Sequence, residues 1–211
     1  MSLVTESYAE QKARLPRQGR HITAQYDDQS LVVYQAFVPE VAAYAVQHQQ
    51  FGGAYYSLNR MSWIKPNFLW MMHRSTWATS PGQTAVLAIW LGRTYFDIIL
   101  AEAVHSAYQS DVYGDQAAWK RALANSEVRL QWDPVYTPQD GPLECRAIQL
   151  GLRGETLQKF AQDGWIVRIE DITPFVHQQA TTVRDPECQV PREQLYPVVD
   201  PEIARRLQIT T

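Results

Sequence analysis

The chain has 211 residues, of which 45% are hydrophobic and 19% are charged, and its formal net charge is -3. This composition supports one domain with a hydrophobic core. The negative net charge argues against a broad nucleic-acid-binding surface, which would need many cations. No apolar run reaches the roughly 18 to 20 residues that a membrane-spanning helix requires.

The N-terminal residues and the cysteines bear on the compartment and the domain limits. Residues 1–19 are polar and lack the apolar segment of a signal peptide. Cys145 and Cys188 match neither a metal knuckle nor a disulfide scaffold, so we expect reduced thiols in a cytoplasmic protein. We expect a polar N-terminal arm, a single domain over residues 20–180 and a C-terminal segment, 181–211, that wraps the surface.

The first half of the domain is predicted to contain a hairpin, a helix and a central strand. Residues 20–26 and 31–37 are rich in β-branched and aromatic side chains and are separated by the turn-forming sequence DDQS. Residues 40–50 favour a helix that stops at the glycine pair 52–53. The run TAVLAIWL, at 84–91, is continuously apolar and predicts a central strand.

The second half is predicted to alternate helices with strands. Residues 93–108 favour an amphipathic helix with His105 beside its apolar stripe, and residues 115–125 favour another helix. Residues 127–134 alternate apolar and polar side chains and are predicted to pair with residues 144–152. A helix at 153–162, a strand at 165–172 and a short helix at 201–208 complete the pattern. The predicted fold class is α+β, with a mixed, mainly antiparallel sheet flanked by helices.

Residues 60–77 combine aromatic and positively charged side chains more densely than any other segment. Pro66 fits the first position of a helix over residues 66–75, which would place Trp70 and Arg74 on one face. The tryptophans recur every seven residues, at Trp63, Trp70 and Trp77. The basic residues lie before and between them: Arg60, Lys65, His73 and Arg74.

This segment predicts a site for an anionic or planar ligand. An arginine can hold a phosphate or carboxylate through two hydrogen bonds, and an indole can stack on a nucleobase or nicotinamide ring. In the structural alternative the tryptophans fill the core and the arginines pair with acidic neighbours. The candidate ligand-binding residues are Gln35, Tyr55, Tyr56, Arg60, Trp63, Trp70, Arg74 and Arg146, and the candidate catalytic residues are Asp133, Gln131 and Lys65.

For two of these candidates, Gln35 and Arg146, a role in the site depends on the surrounding structure. Gln35 shares a strand face with apolar residues, so its amide needs partners and serves either a ligand or a structural hydrogen-bond hub. Arg146 and Gln149 lie at opposite parity on one strand, so both enter one site only at a bulge or a strand end.

Metal and triad chemistry find no support in the sequence. The five histidines are scattered, with no HxH or HxxxH pair, so no metal site is predicted. No GxSxG nucleophile motif occurs. The glycine pair at 52–53 matches neither GxGxxG nor GxxxxGK[ST], so a phosphate loop is also rejected.

The tryptophan segment, together with RHITAQY, VVYQAF, VRLQWDP and RAIQLGL, resembles the family described as domain of unknown function 4291, from about residue 18 to residue 180. The resemblance implies no activity. It does imply that the family signature includes Arg60, Trp63, Lys65, Pro66, Trp70, Gln131, Asp133 and Arg146.

The order of predicted elements is also similar to the NAD-binding half of ADP-ribosyltransferases. In that fold a strand residue and aromatic rings hold nicotinamide, and a later strand supplies a glutamate. Two departures stand out: VVYQAF lacks the expected Arg or His followed by Gly, and QWDP offers Asp133 where a glutamate is usual. A fold analogy by itself does not establish function.

The leading hypothesis is an enzyme that uses NAD or a related nucleotide for group transfer. The ring would stack on Tyr55, Tyr56 and Trp63. The phosphates would bind Arg60, Lys65 and Arg74, while Asp133 would orient or stabilise the ribose. The alternatives are a non-catalytic module that binds a nucleotide or single-stranded nucleic acid, which the net charge does not favour, and a purely structural role for the tryptophan segment.

Overall fold

The computed structural model describes residues 2–210, which contain both helices and strands. The strands are β1 (Thr5–Ser7), β2 (Thr23–Ala24), β3 (Ser30–Phe37), β4 (Ser62–Ile64), β5 (Ala85–Gly92), β6 (Ala103–His105), β7 (Val128–Tyr136), β8 (Pro142–Leu152), β9 (Ile166–Asp171), β10 (Gln189–Pro191) and β11 (Gln194–Leu195). The helices are α1 (Tyr8–Arg14), α2 (Pro39–His48), α3 (Phe68–Ser75), α4 (Arg93–Glu102), α5 (Ser110–Tyr113), α6 (Gln116–Asn125), α7 (Gly154–Gln162), α8 (Thr173–Ala180) and α9 (Pro201–Arg206). The predicted α+β class is confirmed. Across residues 2–210, no helix has the length and apolar character needed to cross a membrane.

The strands divide among several sheets. One sheet is antiparallel, with the order β3-β5-β9, and a second has the order β4-β8-β7-β6. In the second sheet β7 and β8 are antiparallel, as predicted for residues 127–134 and 144–152, and β6 runs parallel to β7. The short strands β1 and β10 form one pair, and β2 and β11 another.

Strand β5 is the central strand of the first sheet, as its apolar run predicts, and all eight of its residues are buried. Leu87 and Ile89 face one hydrophobic cluster, which includes residues of β7, β8 and α7. Ala88 and Trp90 face a second cluster, which includes residues of α3 and α8. Because both faces of the sheet are covered, the sequence of the strand is continuously apolar and does not alternate with polar residues.

A backbone bridge joins the first sheet to the segment after β4. The amide of Tyr34 donates to the carbonyl of Lys65 at 2.7 Å, and the amide of Lys65 donates back at 3.3 Å. The bridge fixes the main chain of Lys65 beside β3, directly before α3 begins.

The predicted hairpin of residues 20–26 with 31–37 is wrong beyond a single bridge between Tyr26 and Leu31. The carboxylate of Asp27 accepts from the amides of Gln29 and Ser30, so the expected turn does form. The chain before it diverges, however, because β2 pairs with β11 from the C-terminal part of the chain.

The predicted helix over 93–108 ends early, at Glu102, and His105 lies on strand β6. The guanidinium of Arg206 donates to the carbonyls of Leu100, Ala101 and Ala103, which satisfies the open end of α4. The residues that follow pair with the free edge of β7. Two contacts from distant parts of the chain therefore end the helix.

Two helix boundaries also differ from the predictions. Helix α2 stops before the glycine pair, with Gln49 in the left-handed region at φ 54°. The Gln49 side chain bonds both backbone groups of Ile169, which holds it there. Helix α3 begins at Phe68 and not at Pro66, because Asn67 is its N-cap and accepts from the amide of Trp70 at 2.9 Å.

The two terminal regions of the chain contact each other. Strand β1 pairs with β10, and the amide of Glu193 donates to the side chain of Gln11 at 2.8 Å. The Arg14 guanidinium donates to the Glu193 carbonyl at 2.7 Å. The described parts of the predicted arm and the predicted wrapping segment, residues 2–19 and 181–210, thus pack together beside the start of α3.

Candidate functional site

A cavity of about 650 Å³ is lined by residues of β3, β4, α3, β7, β8 and the segment from 55 to 65. Its volume lies within the range of about 300 to 1,000 Å³ that is usual for small-molecule sites. The structure brings nine of the eleven candidate residues to its wall: Gln35, Tyr55, Tyr56, Arg60, Trp63, Lys65, Trp70, Arg74 and Gln131.

Asp133 and Arg146 do not line the cavity. The carboxylate of Asp133 accepts from the amide nitrogen of Gln149 at 2.6 Å, and Gln149 does line it. Arg146 is exposed and its backbone bonds to Gly19 and His21. The register pairs Gln131 with Gln149 and Pro134 with Arg146. No bulge falls between these pairs, so Arg146 keeps the opposite parity and stays outside.

Lys65 is the most deeply buried cation of the cavity wall, with 7% of its surface exposed. Its Nζ donates to the carbonyl of Trp63 at 3.0 Å and lies 5.1 Å from the ring centroid of Trp70. Burial, reinforced by the positive charge of Arg74, lowers the pKa of Lys65 to about 7, and the charge of Asp133 opposes the shift. Within residues 2–210, no carboxylate lies within 4.0 Å of this amine.

The cavity wall carries three cations and, among the described residues that line it, no Asp or Glu. The side chains of Arg60 and Arg74 are exposed, and neither forms an ion pair within residues 2–210. Trp70 is buried, as the structural alternative expects, but that alternative also expects acidic partners for the arginines. The cavity is therefore a local concentration of positive charge in a protein of net negative charge.

Gln35 has the contacts of a hydrogen-bond hub. Its amide nitrogen donates to the hydroxyl of Ser62 at 2.7 Å and to the carbonyl of Trp63 at 3.0 Å, and the residue is 2% exposed. These two bonds use both N–H groups and connect β3 to β4. The amide oxygen has no hydrogen-bond partner within residues 2–210.

Three polar side chains of β7 and β8 form a connected array. The amide nitrogen of Gln149 donates to Gln131 at 2.7 Å as well as to Asp133. Burial raises the pKa of Asp133, while the Gln149 hydrogen bond, the charges of Lys65 and Arg146, and the Trp70 indole lower it. The sequence reasoning left Gln149 out of the site; pairing the two strands residue by residue would have found it opposite Gln131.

Helix α3 is followed by three consecutive non-glycine residues with positive φ: Thr76 at 49°, Trp77 at 52° and Ala78 at 64°. Such residues each cost on the order of 1 kcal/mol. The Ser75 hydroxyl accepts from the amide of Ala78 at 3.2 Å and donates to the carbonyl of Met71 at 2.9 Å. These bonds hold the tight turn that follows Arg74 at the edge of the cavity.

Metal-binding side chains do not cluster within residues 2–210. Across residues 2–210, no group of three or more His, Cys, Asp or Glu side chains is placed to hold a metal ion. His105 is buried on β6, where burial lowers its pKa to about 4, and it lies outside the cavity lining.

The family model described as Domain of unknown function (DUF4291) matches residues 21–197. The chain belongs to this family. No curated protein matched the chain in a sequence comparison. The DUF4291 match spans every residue that lines the cavity and extends to Glu193, beside α3. Its description states no activity, so a function must be argued from the chemistry of the cavity.

Proposed function

We propose that the cavity binds a nucleotide, NAD or a related dinucleotide, and that the protein transfers a group from it, in the manner of an ADP-ribosyl or glycosyl transferase. One observation carries the proposal. Three cations and several aromatic rings share one cavity wall, and no Asp or Glu among the described lining residues neutralises the cations. A ligand with phosphates and a planar ring complements such a wall.

Different residues of the cavity would bind different parts of the nucleotide. Tyr55, Tyr56 and Trp63 offer rings for stacking on the base or the nicotinamide. The phosphates bind Arg60, Lys65 and Arg74 by charge-assisted hydrogen bonds. The carboxylate of Asp133 acts on the ribose through the amides that it orients, because it contacts Gln149 and does not line the cavity.

Lys65 acts in the proposed transfer as a cation that fixes the donor. A pKa of about 7 leaves the amine partly neutral in the empty cavity, and an adjacent phosphate favours its protonated form. The protonated amine then holds the phosphate in position for the transfer. Gln131 lies in the same wall and can orient the group that receives the transferred moiety.

Calorimetry and thermal-shift measurements with NAD, ADP-ribose and ATP at up to millimolar concentration test the binding step. We expect heat and a raised Tm for at least NAD or ADP-ribose, and an affinity at least about tenfold weaker after Arg74→Gln, since a charge-assisted bond contributes about 1.5 to 3 kcal/mol. Arg121→Gln, on α6 outside the cavity lining, is the matched control and should bind as the wild type does. The absence of heat and of any Tm change with all three compounds would refute the proposal.

A non-catalytic binding module is the second candidate, and the lack of an Asp or Glu among the described lining residues favours it. Release of nicotinamide from NAD separates the two. Release that Lys65→Met abolishes supports the transferase, whereas binding without release supports the module. A strongly salt-dependent affinity for oligonucleotides would identify single-stranded nucleic acid as the ligand of that module.

A further inference from the structure

The cations of the cavity differ in how much water surrounds them. Lys65 is almost fully buried, while Arg60 and Arg74 are exposed. Arg74 follows Trp70 by one turn of α3, on the same face, and the Lys65 amine lies over the Trp70 ring. Lys65 and Arg74 therefore flank Trp70 at one end of the cavity.

The Lys65 amine has more N–H donors than it has hydrogen-bond acceptors among residues 2–210. An ammonium has three N–H donors, and within residues 2–210 the Lys65 amine has one hydrogen-bond acceptor, the Trp63 carbonyl. Two donors therefore remain for a group that enters the cavity. Across residues 2–210 no carboxylate lies within ion-pair distance of the amine, and Asp133 bonds to Gln149 instead.

The charged groups around Lys65 set its protonation in the empty cavity. Arg74 faces it from α3 and Asp133 from β7, while Tyr34 of β3 meets it through the backbone and Trp63 and Trp70 are uncharged. Burial and Arg74 outweigh Asp133, so the pKa falls to about 7. An amine with a pKa this close to neutrality is partly neutral at pH 7.

We propose that a phosphate group of the ligand binds between Lys65 and Arg74, and that the protein takes up a proton at Lys65 as the phosphate binds. The identity of the ligand as a phosphate compound rests on the proposed function. An anion placed there stabilises the protonated amine and removes its repulsion by Arg74. Arg60 takes up no proton, because a guanidinium is charged with or without the ligand.

The proton uptake makes binding depend on pH. If the phosphate binds only the protonated amine, a pKa of about 7 predicts an affinity about tenfold weaker at pH 8 than at pH 6. The ligand for this measurement must not titrate in the same range. ADP-ribose meets this condition, because its diphosphate bridge has no terminal phosphate with a second ionisation near pH 6.

NMR of carbon-13-labelled lysine side chains in the full chain tests the proposal directly. The lysines are Lys12, Lys65, Lys120 and Lys159, so few signals need assignment, and Lys65→Arg identifies the relevant one. We expect the Lys65 signal to titrate near pH 7 in the free protein, and its midpoint to rise by about one unit or more with saturating ADP-ribose. Sulfate, a tetrahedral dianion that does not titrate here, is the second probe.

Calorimetry in buffers of different ionisation enthalpy counts the protons. Wild-type protein should take up about half a proton at pH 7 when ADP-ribose binds. Lys65→Arg should bind with no uptake, because arginine is already charged, and Lys65→Met should bind more weakly, again with no uptake. Arg60→Gln should weaken binding and leave the uptake unchanged.

The outcomes separate this inference from the proposed function. If ADP-ribose binds and the Lys65 midpoint does not move, the phosphate lies elsewhere and this inference is wrong, while nucleotide binding stands. If ADP-ribose fails to bind and sulfate raises the midpoint, the anion site is real and the nucleotide is not its ligand. If NAD, ADP-ribose and ATP all fail to bind and sulfate does not move the Lys65 midpoint, both proposals fail.

Discussion

Two buried charged side chains flank the start of α3, and their surroundings differ. Glu193 is fully buried, and its carboxylate accepts from the amide of Phe68 at 2.6 Å and the side chain of Asn67 at 2.8 Å. Lys65 is 7% exposed and bonds one protein acceptor, the Trp63 carbonyl. Within residues 2–210 neither group has an oppositely charged partner at ion-pair distance.

The difference indicates which charge is structural and which is available to a ligand. The oxygens of Glu193 receive protein donors, among them the first amide of α3, where a carboxylate also complements the helix dipole. Glu193 therefore fixes α3 to the C-terminal part of the chain. Lys65 lines the cavity, and within residues 2–210 its amine bonds the Trp63 carbonyl and no other acceptor. A charge that the fold leaves unmatched beside a cavity is a candidate for ligand binding.

The largest effect is expected from Glu193→Ala. This change leaves the Phe68 amide and the Asn67 side chain as buried donors without an acceptor, at about 1 to 3 kcal/mol each, and it creates a cavity. We expect the free energy of unfolding to fall by about 4 kcal/mol in urea titrations at pH 7. Glu193→Gln, which keeps the volume and one acceptor oxygen, should lose less than half as much. Equal losses in the two variants would show that the hydrogen bonds contribute little.

The two groups should give stability opposite dependences on pH. Burial raises the pKa of Glu193 from 4.5 to about 7, against hydrogen bonds from Phe68, Thr23 and Asn67. The folded state therefore holds a proton that the unfolded state has released, and stability falls as pH rises from about 4.5 to 7, by up to about 3 kcal/mol. For Lys65 the unfolded state keeps the proton up to 10.5, and the folded state releases it near 7. Stability therefore rises between about pH 7 and 10.5.

Unfolding titrations across these pH ranges check both slopes. The acidic slope should disappear in Glu193→Gln and persist in Lys65→Met, and the alkaline slope should behave in the reverse way. A wild-type acidic slope that survives in Glu193→Gln would show that another group causes it.

The smallest change in stability is expected from Lys65→Met. Methionine has an apolar side chain of similar length, and it removes a buried cation that has no carboxylate within 4.0 Å among residues 2–210. We expect the free energy of unfolding at pH 7 to stay the same or to rise by about 1 kcal/mol. Lys159→Met is the matched surface control, because the Lys159 side chain is 43% exposed and pairs with Glu155 at 2.6 Å, an arrangement of little net stability. A loss above about 2 kcal/mol for Lys65→Met would assign Lys65 a structural role.

Much of the framework follows from local patterns. The apolar run at 84–91 predicts β5, and the alternation at 127–134 predicts β7. Both patterns survive because each strand meets the core along its whole face. The boundaries that fail depend on distant partners: Arg206 satisfies the end of α4, β11 takes the pairing position beside β2, and Asn67 caps α3 where Glu193 holds it.

The candidate site divides in the same way. Arg60, Trp63, Lys65, Trp70 and Arg74 come from one segment, so their approach to one cavity follows largely from spacing along the chain. Gln149 reaches the site through its register with Gln131, which depends on the β7–β8 pairing. Arg146 has the same type of side chain as Arg74, but its parity on β8 keeps it outside. The sequence identifies candidate side chains, and the strand register determines which of those on β7 and β8 line the cavity.

The sequence by itself determined that this protein has an α+β fold and that its cations and aromatic rings concentrate in residues 60–77, because periodicity and local spacing are properties of contiguous residues. The tertiary structure decided which buried charged side chains have several hydrogen-bond partners in the protein. Glu193 accepts hydrogen bonds from residues more than 120 positions earlier in the chain, whereas no carboxylate within residues 2–210 lies within 4.0 Å of the Lys65 amine. Whether a buried charge has protein partners depends on distances between segments that only folding brings together. This difference separates Glu193, which anchors α3, from Lys65, which is a candidate for ligand binding.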